Sequence, residues 1–361
     1  MSAPLVILAA GGTGGHVFPA EALAGSLARR GFRLALVTDD RGTKYGGNLG
    51  EIDTHRLPIR KMTGGLLRRL VGFASLLPGY FAARALLGKL QPAAVVGFGG
   101  YPSLPTVAAA RRRFRTAIHE QNAILGRVNR LVATGVDAVA TSFAETRGAG
   151  NNATLVGNPV RGEVTALRAR PFELPAPGAR LRVLVTGGSQ GASVFGRVVP
   201  AALALLAPEK RARISLVQQT REEDAETVRQ RYRTLGFAAE VAPFFADLPL
   251  RVADSHLVIA RAGASTVAEL ACIGRPSLLV PLPGATDDHQ TANARALAAA
   301  GGAWIVPEAE FTPADLAARL AALVDDPRPL SSLADGAHSF GRPDAGERLA
   351  DLVQKLAGAA A

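Results

Sequence analysis

The residues best suited to chemistry stand where a short apolar run gives way to a helical pattern. Leu257–Ala260 reads as a buried strand, and Ser265 or Thr266 is placed to cap the helix that follows. Free N–H groups and the dipole of a helix start favour a diphosphate over neutral groups. Glu269 stands about one turn further on, where a carboxylate can accept hydrogen bonds from two vicinal hydroxyls. This spacing suits the diphosphate and ribose of a nucleotide; an ordinary helix cap with a solvated acid is the alternative.

The same stretch continues as one parallel β–α–β step. Gly274 to Pro276 ends the helix, and Ser277–Pro281 resumes a buried strand. Ligands of such steps lie at the carboxyl ends of the strands. A second polar cluster follows that strand and can hold phosphate or sugar hydroxyls: Asp287, Asp288, His289, Gln290 and Asn293.

The chain opens with a similar unit. Leu5–Ala10 predicts a strand, residues 11–16 form a glycine loop that ends in His16, and Val17–Arg30 predicts a helix. The loop lacks the spacing of a dinucleotide site and the Gly-Lys of a P-loop, so neither NAD nor ATP is implied. Its small residues would let a diphosphate or a sugar approach backbone amides. Glycines needed only for packing are the alternative, which leaves His16 unexplained.

A third polar run ends a later strand. Thr116–Ile118 leads into His119, Glu120, Gln121 and Asn122, a suitable lining for a sugar-binding cleft. A metal site is not expected, because no second His or carboxylate stands at a helical ligand spacing.

The bulk composition predicts two domains. With 361 residues and 48% hydrophobic content, the chain can bury two cores. The second half restarts the pattern with Leu181–Thr186 as strand, 187–191 as glycine loop and Val194–Leu206 as helix. Arg168–Arg180 holds three prolines and no periodicity, so it is the predicted interdomain segment.

The charge and the cysteine content indicate the cellular surroundings of the chain. Residues 1–160 hold 19 Lys or Arg and 8 Asp or Glu, a net charge of +11, whereas 161–361 hold 22 of each. A basic half suggests an anionic surface or substrate. The single cysteine, Cys272, fits a reducing compartment. No basic region precedes Leu5, and no apolar run approaches the roughly 18 residues of a membrane span, so neither a secretory leader nor a spanning helix is expected.

Residues 63–90 contain more apolar side chains than one buried helix stripe requires, including the run from Leu66 to Phe81. Basic residues flank this run: Arg60, Lys61, Arg68, Arg69 and Arg84. Apolar side chains ringed by bases are typical of an interfacial membrane contact. Packing of both faces in the core is the alternative.

Several ordered motifs together carry a family resemblance over nearly the whole length. They are GGTGGH at 11–16, FGGYPS at 98–103, HEQN at 119–122, GNPVR at 157–161, GGSQG at 187–191, GAxTVxE at 263–269 and DDHQxxNA at 287–294. The chain resembles the MurG family of bacterial N-acetylglucosaminyltransferases, which make lipid II in peptidoglycan synthesis. The resemblance implies an α/β fold of two facing Rossmann-like domains with parallel sheets, the glycosyltransferase-B fold, with a cleft between them.

The resemblance also implies the substrates and the surroundings. Domain 161–340 would hold UDP-N-acetylglucosamine, domain 1–160 would meet undecaprenyl-diphospho-N-acetylmuramoyl-pentapeptide and an anionic membrane surface, and 341–361 would be a helical tail that packs back on the N-terminal domain. The expected place is the cytoplasmic face of the inner membrane, peripherally bound, with protein partners of cell-wall synthesis. No cofactor, metal or nucleic acid is expected.

Site residues carry over one by one. Those implied to bind substrate are Thr13, Gly14, Gly15, Tyr101, Asn122, Arg161, Ser189, Gln190, Phe245, Ala264, Ser265, Thr266, Glu269, His289, Gln290 and Asn293. Asn122 would contact the donor sugar, Arg161 and Ser189 the diphosphate, and Phe245 the uracil side. The family often has Gln-Gln where this chain has His289-Gln290; either can contact the donor, and Gln290 is favoured.

The implied reaction is inverting transfer of the sugar to the 4-hydroxyl of the muramoyl unit, without a metal. Its base must work near pH 7, which favours histidine. His16, held neutral at a helix start, is the first candidate, and Glu120 is the rival. Two other functions are weighed: a UDP-N-acetylglucosamine 2-epimerase, which would turn over the donor alone, and a nucleotide-sugar-binding protein without transfer.

Overall fold

The chain forms two α/β units, each built on one parallel sheet. This computed structural model describes residues 3–11, 14–39, 52–59, 75–151, 153–188 and 191–358. Unit 1 comprises Met1–Arg161 and Pro343–Ala361, and unit 2 comprises Gly162–Arg342.

Unit 1 contains a seven-stranded sheet in the order β3-β2-β1-β4-β5-β6-β7. Its strands are β1 Leu5–Ala9, β2 Arg33–Asp39, β3 Asp53–Leu57, β4 Ala94–Gly97, β5 Arg115–Glu120, β6 Ala138–Thr141 and β7 Ala153–Leu155. The helices before the second unit are α1 Gly14–Arg29, α2 Leu76–Leu90, α3 Leu104–Ala110 and α4 Arg127–Val132. Strand β1 pairs in parallel with both β2 and β4, so the strand order reverses between β1 and β4.

Unit 2 contains a six-stranded sheet in the order β10-β9-β8-β11-β12-β13. Its strands are β8 Leu181–Thr186, β9 Ile214–Gln219, β10 Ala239–Ala242, β11 Leu257–Ala260, β12 Ser277–Leu279 and β13 Ala303–Ile305. Its helices are α5 Gly162–Ala166, α6 Ser193–Leu205, α7 Pro208–Arg211, α8 Ala225–Thr234, α9 Leu248–Asp254, α10 Ala264–Ile273, α11 His289–Ala299, α12 Pro313–Asp325 and α13 Pro329–Phe340. The order reverses again, here between β8 and β11.

Both sheets are covered by helices on their two faces, which explains why their central strands are continuous apolar runs. Every residue of Leu5–Ala9 and of Leu257–Ala260 is buried. In open parallel sheets of this Rossmann-like kind, ligands bind beyond the carboxyl ends of the strands where the order reverses. The prediction of two parallel-sheet Rossmann-like domains is confirmed.

The segment Arg168–Arg180 does not divide the two units, contrary to the expectation from its prolines. The division falls at Arg161–Gly162, and the segment belongs to unit 2. There Arg168 donates to the Cys272 carbonyl at 3.1 Å, and Arg170 pairs with Asp254 at 2.7 Å. The prolines prevent a regular helix in this stretch. The stretch nevertheless packs against the rest of unit 2.

The last helix, α14 Ala345–Leu356, belongs to unit 1. It buries Leu349, Ala350 and Val353 in the same core cluster as α1. The Glu347 carboxylate accepts hydrogen bonds from Ser26, Arg29 and Arg30, each at 2.7 Å. The bond from Arg30 is the main reason that the pKa of Glu347 falls to about 2.

Candidate active site

In unit 1, His16 lies in the first turn of α1, beside the turn that follows β4. Gly99 and Gly100 form this turn with φ of +80° and +70°. A Cβ on Gly100 would stand 3.2 Å from Cδ2 of His16, and one on Gly99 would stand 3.5 Å from Cε1. Glycine is therefore required at both positions by conformation and at Gly100 also by contact. The half-buried imidazole sits where the strand order reverses.

A chain of hydrogen bonds leads from this imidazole into the core. Nδ1 of His16 lies 3.0 Å from Oε1 of Gln121, whose Nε2 lies 3.1 Å from Nδ1 of His119. Nε2 of His119 lies 3.0 Å from the Gly157 carbonyl oxygen. His119 is fully buried, and this burial lowers its pKa from 6.5 to about 4.

A pH dependence of stability follows from the buried imidazole of His119. Because its pKa is lowered in the folded state, only the unfolded chain takes up the proton between pH 6.5 and 4. The neutral His119 imidazole makes its full contribution to stability above pH 6.5. As the pH falls through this window, the free energy of unfolding decreases, by about 3 kcal/mol at the acid end. Urea unfolding of wild type and His119→Gln at pH 7, 6 and 5 measures the effect. The pKa of His256 in unit 2 is lowered in the same way, so the effect of His119 is the difference in pH dependence between wild type and His119→Gln. Equal slopes of unfolding free energy against pH in the two proteins would contradict the prediction.

The rival base, Glu120, is 2% exposed and fully engaged. Its Oε1 accepts from the backbone N–H and the Nδ2 of Asn122, at 3.0 and 3.1 Å. Its Oε2 accepts from the Gly126 N–H and Asn129 Nδ2, both at 2.8 Å. Four donors to one buried carboxylate indicate a group that shapes the loop after β5. One of them is an N–H of the Asn122 amide, which was expected at the donor sugar.

The remaining predicted residues of unit 1 are spread along its edge of loops. Gly14 and Gly15 open α1, whereas Thr13 lies outside the described residues. Tyr101 is half-buried and packs against the apolar cluster under α2. The Arg161 guanidinium carbon lies 4.8 Å from the centre of the Phe18 ring of α1, which places this cation beside the first glycine loop.

In unit 2 the helix start is shifted from the predicted cap. Gly263, extended at φ −62° and ψ 145°, is the N-cap, and neither Ser265 nor Thr266 caps the helix. Both hydroxyls lie within the first turn, whose N–H groups have no acceptor inside the helix. The Ser265 hydroxyl is buried and makes no hydrogen bond to the residues that the structure describes. Glu269 is half-buried one turn further on.

Gln290 and Asn293 support this helix start from α11. Oε1 of Gln290 accepts from the N–H groups of Ala262 and Leu282, at 3.2 and 3.0 Å. The fully buried Asn293 donates from Nδ2 to the Ala262 carbonyl at 3.1 Å. Asn293 thus supports the loop before α10, and its expected contact with the substrate stays a prediction. Nδ1 of His289 lies 2.7 Å from the Thr286 carbonyl oxygen.

Three further predicted positions have different outcomes. Ser189 and Gln190 lie outside the described residues, although Gly188 and Gly191, which frame them, have φ of +71° and +65°. Phe245 is 7% exposed beneath the Arg251 guanidinium, whose carbon lies 4.3 Å from the ring centre. Its ring is therefore covered, and the neighbouring Phe244 ring is 74% exposed instead.

Sequence reasoning missed two features of the site. Arg261, which directly follows β11, is buried, donates to the Val280 and Pro281 carbonyls, and pairs with Glu308. The separate roles of His119 and Gln121 were also missed. Alternation along an extended chain puts residues two apart on the same side, which would have grouped His119 with Gln121 and Glu120 with Asn122.

Two features are absent from the described part of the chain. No group of three or more His, Cys, Asp or Glu side chains there is arranged to hold a metal ion. No described helix combines the length and the apolar character that crossing a bilayer would require.

The two Rossmann-like units, with glycine loops at both reversal points, an imidazole at one and a helix start at the other, are those of a glycosyltransferase. Residues 6–141 match the N-terminal domain of glycosyltransferase family 28, and residues 182–349 match its C-terminal domain. The chain belongs to glycosyltransferase family 28.

Relatives are similar over their full length. A UDP-N-acetylglucosamine–N-acetylmuramyl-(pentapeptide) pyrophosphoryl-undecaprenol N-acetylglucosamine transferase of Rhodospirillum centenum is 56% identical, over 99% of this chain and 96% of the relative. The Rhodospirillum rubrum protein of the same name is 54% identical, over 99% and 93%. The crystal structure of Acinetobacter baumannii MurG superposes with a TM-score of 0.79 at 30% identity, covering 98% of this chain and 99% of that one.

Proposed function

We propose that this enzyme transfers N-acetylglucosamine from UDP-N-acetylglucosamine to undecaprenyl-diphospho-N-acetylmuramoyl-pentapeptide, which converts lipid I to lipid II. The observation that carries the proposal is the 56% identity, over 99% of the chain, to a transferase named for this reaction. The proposed acceptor atom is the 4-hydroxyl of the muramoyl sugar, with inversion at the anomeric carbon of the donor.

Unit 2 is the proposed donor-binding unit. The N–H groups at the start of α10 and its dipole favour the donor diphosphate. The buried Ser265 hydroxyl, which has no partner among the described residues, would donate a hydrogen bond to a phosphate oxygen. Glu269 stands about one turn further along α10, where its carboxylate can accept hydrogen bonds from the ribose hydroxyls. Arg161, which the resemblance implies at the diphosphate, is the proposed further cation.

Unit 1 is proposed to bind the acceptor and to supply the base. Nε2 of His16 makes no hydrogen bond to the described residues, whereas both oxygens of Glu120 are occupied. We assign proton removal from the acceptor hydroxyl to His16. The hydroxyl oxygen then forms the new bond to the anomeric carbon as the bond to UDP breaks, and the electron pair leaves with the diphosphate.

A transfer assay tests the reaction directly. With labelled UDP-N-acetylglucosamine and a short-chain lipid I analogue, label should appear in the lipid product, and UDP should form in equal amount. With donor alone, no turnover should occur. Conversion of the donor to its 2-epimer without acceptor would show that the protein is an epimerase. Donor binding without either reaction would show that it is a nucleotide-sugar-binding protein.

Unit 1 is also proposed to contact an anionic membrane surface at the cytoplasmic face of the inner membrane. Leu77 and Phe81, one turn apart on α2, are 64% and 60% exposed, and the exposed Arg84 follows on the same face. The buried Ala83 and Leu87 of α2 pack in the core, so the two faces of this helix have different roles. Arg60, Lys61, Arg68 and Arg69 lie outside the described residues.

Replacing both Leu77 and Phe81 by Ser should weaken binding to anionic vesicles about 30- to 1000-fold, because each apolar side chain gains roughly 1–2 kcal/mol on leaving water, about 2–4 kcal/mol for the pair. UDP affinity and the unfolding midpoint should be unchanged. Binding should also weaken with salt, since nearby basic residues contribute about 1 kcal/mol each. Leu205→Ser in unit 2, also a well-exposed leucine, is the matched control. Equal vesicle binding by the double variant and the control would remove α2 from the membrane contact.

A further inference from the structure

The orientation of the Gln121 carboxamide is determined by its surroundings. Its Nε2 lies 3.1 Å from the His119 carbonyl oxygen and 3.1 Å from Nδ1 of His119. A carbonyl oxygen can only accept a hydrogen bond, so the NH2 end of the amide must face it. The reversed amide would place the Gln121 oxygen against the His119 carbonyl oxygen. Gln121 is only 2% exposed, so water could not separate the two oxygens.

The protonation of His119 agrees with this orientation. Its Nε2 lies 3.0 Å from the Gly157 carbonyl and 3.4 Å from the Ser142 hydroxyl oxygen, whose own hydrogen goes to the Glu120 carbonyl at 2.8 Å. Both neighbours therefore accept from Nε2–H. Burial lowers the pKa of His119 to about 4, so Nδ1 carries a lone pair at neutral pH and accepts from Gln121.

The orientation of Gln121 determines which ring nitrogen of His16 carries the hydrogen. With its NH2 end fixed inward, Gln121 presents Oε1 to Nδ1 of His16 at 3.0 Å. An amide oxygen has no hydrogen to give, so Nδ1 of His16 must donate. A neutral imidazole has one N–H, which leaves the Nε2 nitrogen of His16 as the acceptor.

We infer that Gln121, oriented by His119, is a positioning residue that holds neutral His16 in the Nδ1–H tautomer, with the Nε2 lone pair free to take the acceptor proton. This inference rests on the proposed role of His16 as base. A carboxylate at this place would also attract the imidazolium, whereas the neutral amide fixes the tautomer alone. The nearby carboxylate, Glu120, is held by Asn122, Gly126 and Asn129.

Nitrogen-15 spectra of histidine-labelled protein test the tautomer in the wild type. The chain has six histidines, each with two ring nitrogens. The pair of ring signals that is lost in His16→Asn belongs to His16. At a pH where the ring is neutral, Nδ1 should show the protonated shift and Nε2 the unprotonated one. The opposite assignment overturns the inference, whatever the transfer assay shows.

Variants test the link to catalysis. Gln121→Leu should give a mixed tautomer and lower kcat about 10- to 100-fold, below the 10²–10⁴ of a lost base, with KM for UDP-N-acetylglucosamine nearly unchanged. Gln121→Glu keeps an acceptor toward His16 and should keep the Nδ1–H tautomer, but its second oxygen would face the His119 carbonyl, so the free energy of unfolding should fall. Gln218→Leu removes another fully buried amide, in unit 2, and should change neither reading.

Each failure points to one cause. A fall in kcat of Gln121→Leu with an unchanged tautomer would make Gln121 merely structural and overturn the inference. If Gln121→Leu does not fold, the wild-type nitrogen-15 spectrum decides. Absence of any transfer by the wild type would refute the proposed function, while the tautomer of His16 would still be read from its own signals.

Discussion

His16→Ala should lower kcat by about 10²–10⁴-fold and leave UDP affinity nearly unchanged. The range is that of a lost general base, and the donor affinity is expected to survive because the donor groups named above lie mainly in unit 2. The acid limb of the kcat/KM profile should also disappear, since protonation of the base would no longer limit the reaction. Steady-state kinetics with a lipid I analogue between pH 5 and 9, with calorimetry for UDP, measure all three effects.

Glu120→Gln is the informative comparison for His16→Ala. Its carboxylate accepts from four donors, so an amide there would turn an NH2 group toward donors and should lower stability more than it alters the pH profile. If the acid limb persists in His16→Ala and vanishes in Glu120→Gln, Glu120 is the base. A loss below about tenfold in His16→Ala would remove the base role, and a defect confined to the donor KM would instead make His16 a binding residue.

Glu269→Ala should weaken UDP binding about 10- to 100-fold. A carboxylate that accepts from both ribose hydroxyls contributes roughly 1.5–3 kcal/mol. Calorimetry with UDP and with its 2′-deoxy analogue tests both the size and the cause. Wild type should prefer UDP, and Glu269→Ala should lose that preference, because no acceptor remains to distinguish the two sugars.

Glu310→Ala is a suitable control, since this exposed carboxylate lies in the same unit outside the proposed site. Its UDP affinity should equal that of wild type. Affinity for the lipid acceptor should be unchanged in both variants. If Glu269→Ala folds normally and binds UDP as wild type does, the ribose is recognised elsewhere and the assignment of α10 has to be revised.

The fold was largely predictable because its central strands are apolar runs that end in glycine loops. The strand predicted at Leu181–Thr186 agrees with β8, and Leu5–Ala10 agrees with β1 to within one residue. The two outer strands of unit 1 were missed. Asp53–Leu57 is a polar stretch with a mostly exposed pattern, and Ala153–Leu155 has only three residues, so neither carries the apolar signal of a central strand.

The sequence indicated which polar residues of unit 1 lie near one another but not the contacts that each makes. Residue types and their places after strands brought His16, Glu120 and Gln121 together. The division of labour among them depends on which side of an extended chain each faces and on how many donors reach Glu120. Gly263 as the helix cap was missed for a related reason, because a backbone in extended geometry can end a helix without any side chain that the sequence would reveal.

The return of α14 to unit 1 affects how the protein is made. The chain of unit 1 is interrupted by Gly162–Arg342, so its last helix leaves the ribosome only after all of unit 2. At about 5–20 residues per second, this interval lasts about 10–40 s. For that time α1 lacks the cover of Leu349 and Val353, and by the end of it all the strands of unit 2 have been translated. The first domain to be translated is therefore the last to be completed, and a nascent chain cut short before Ala345 would keep an apolar face of α1 permanently open.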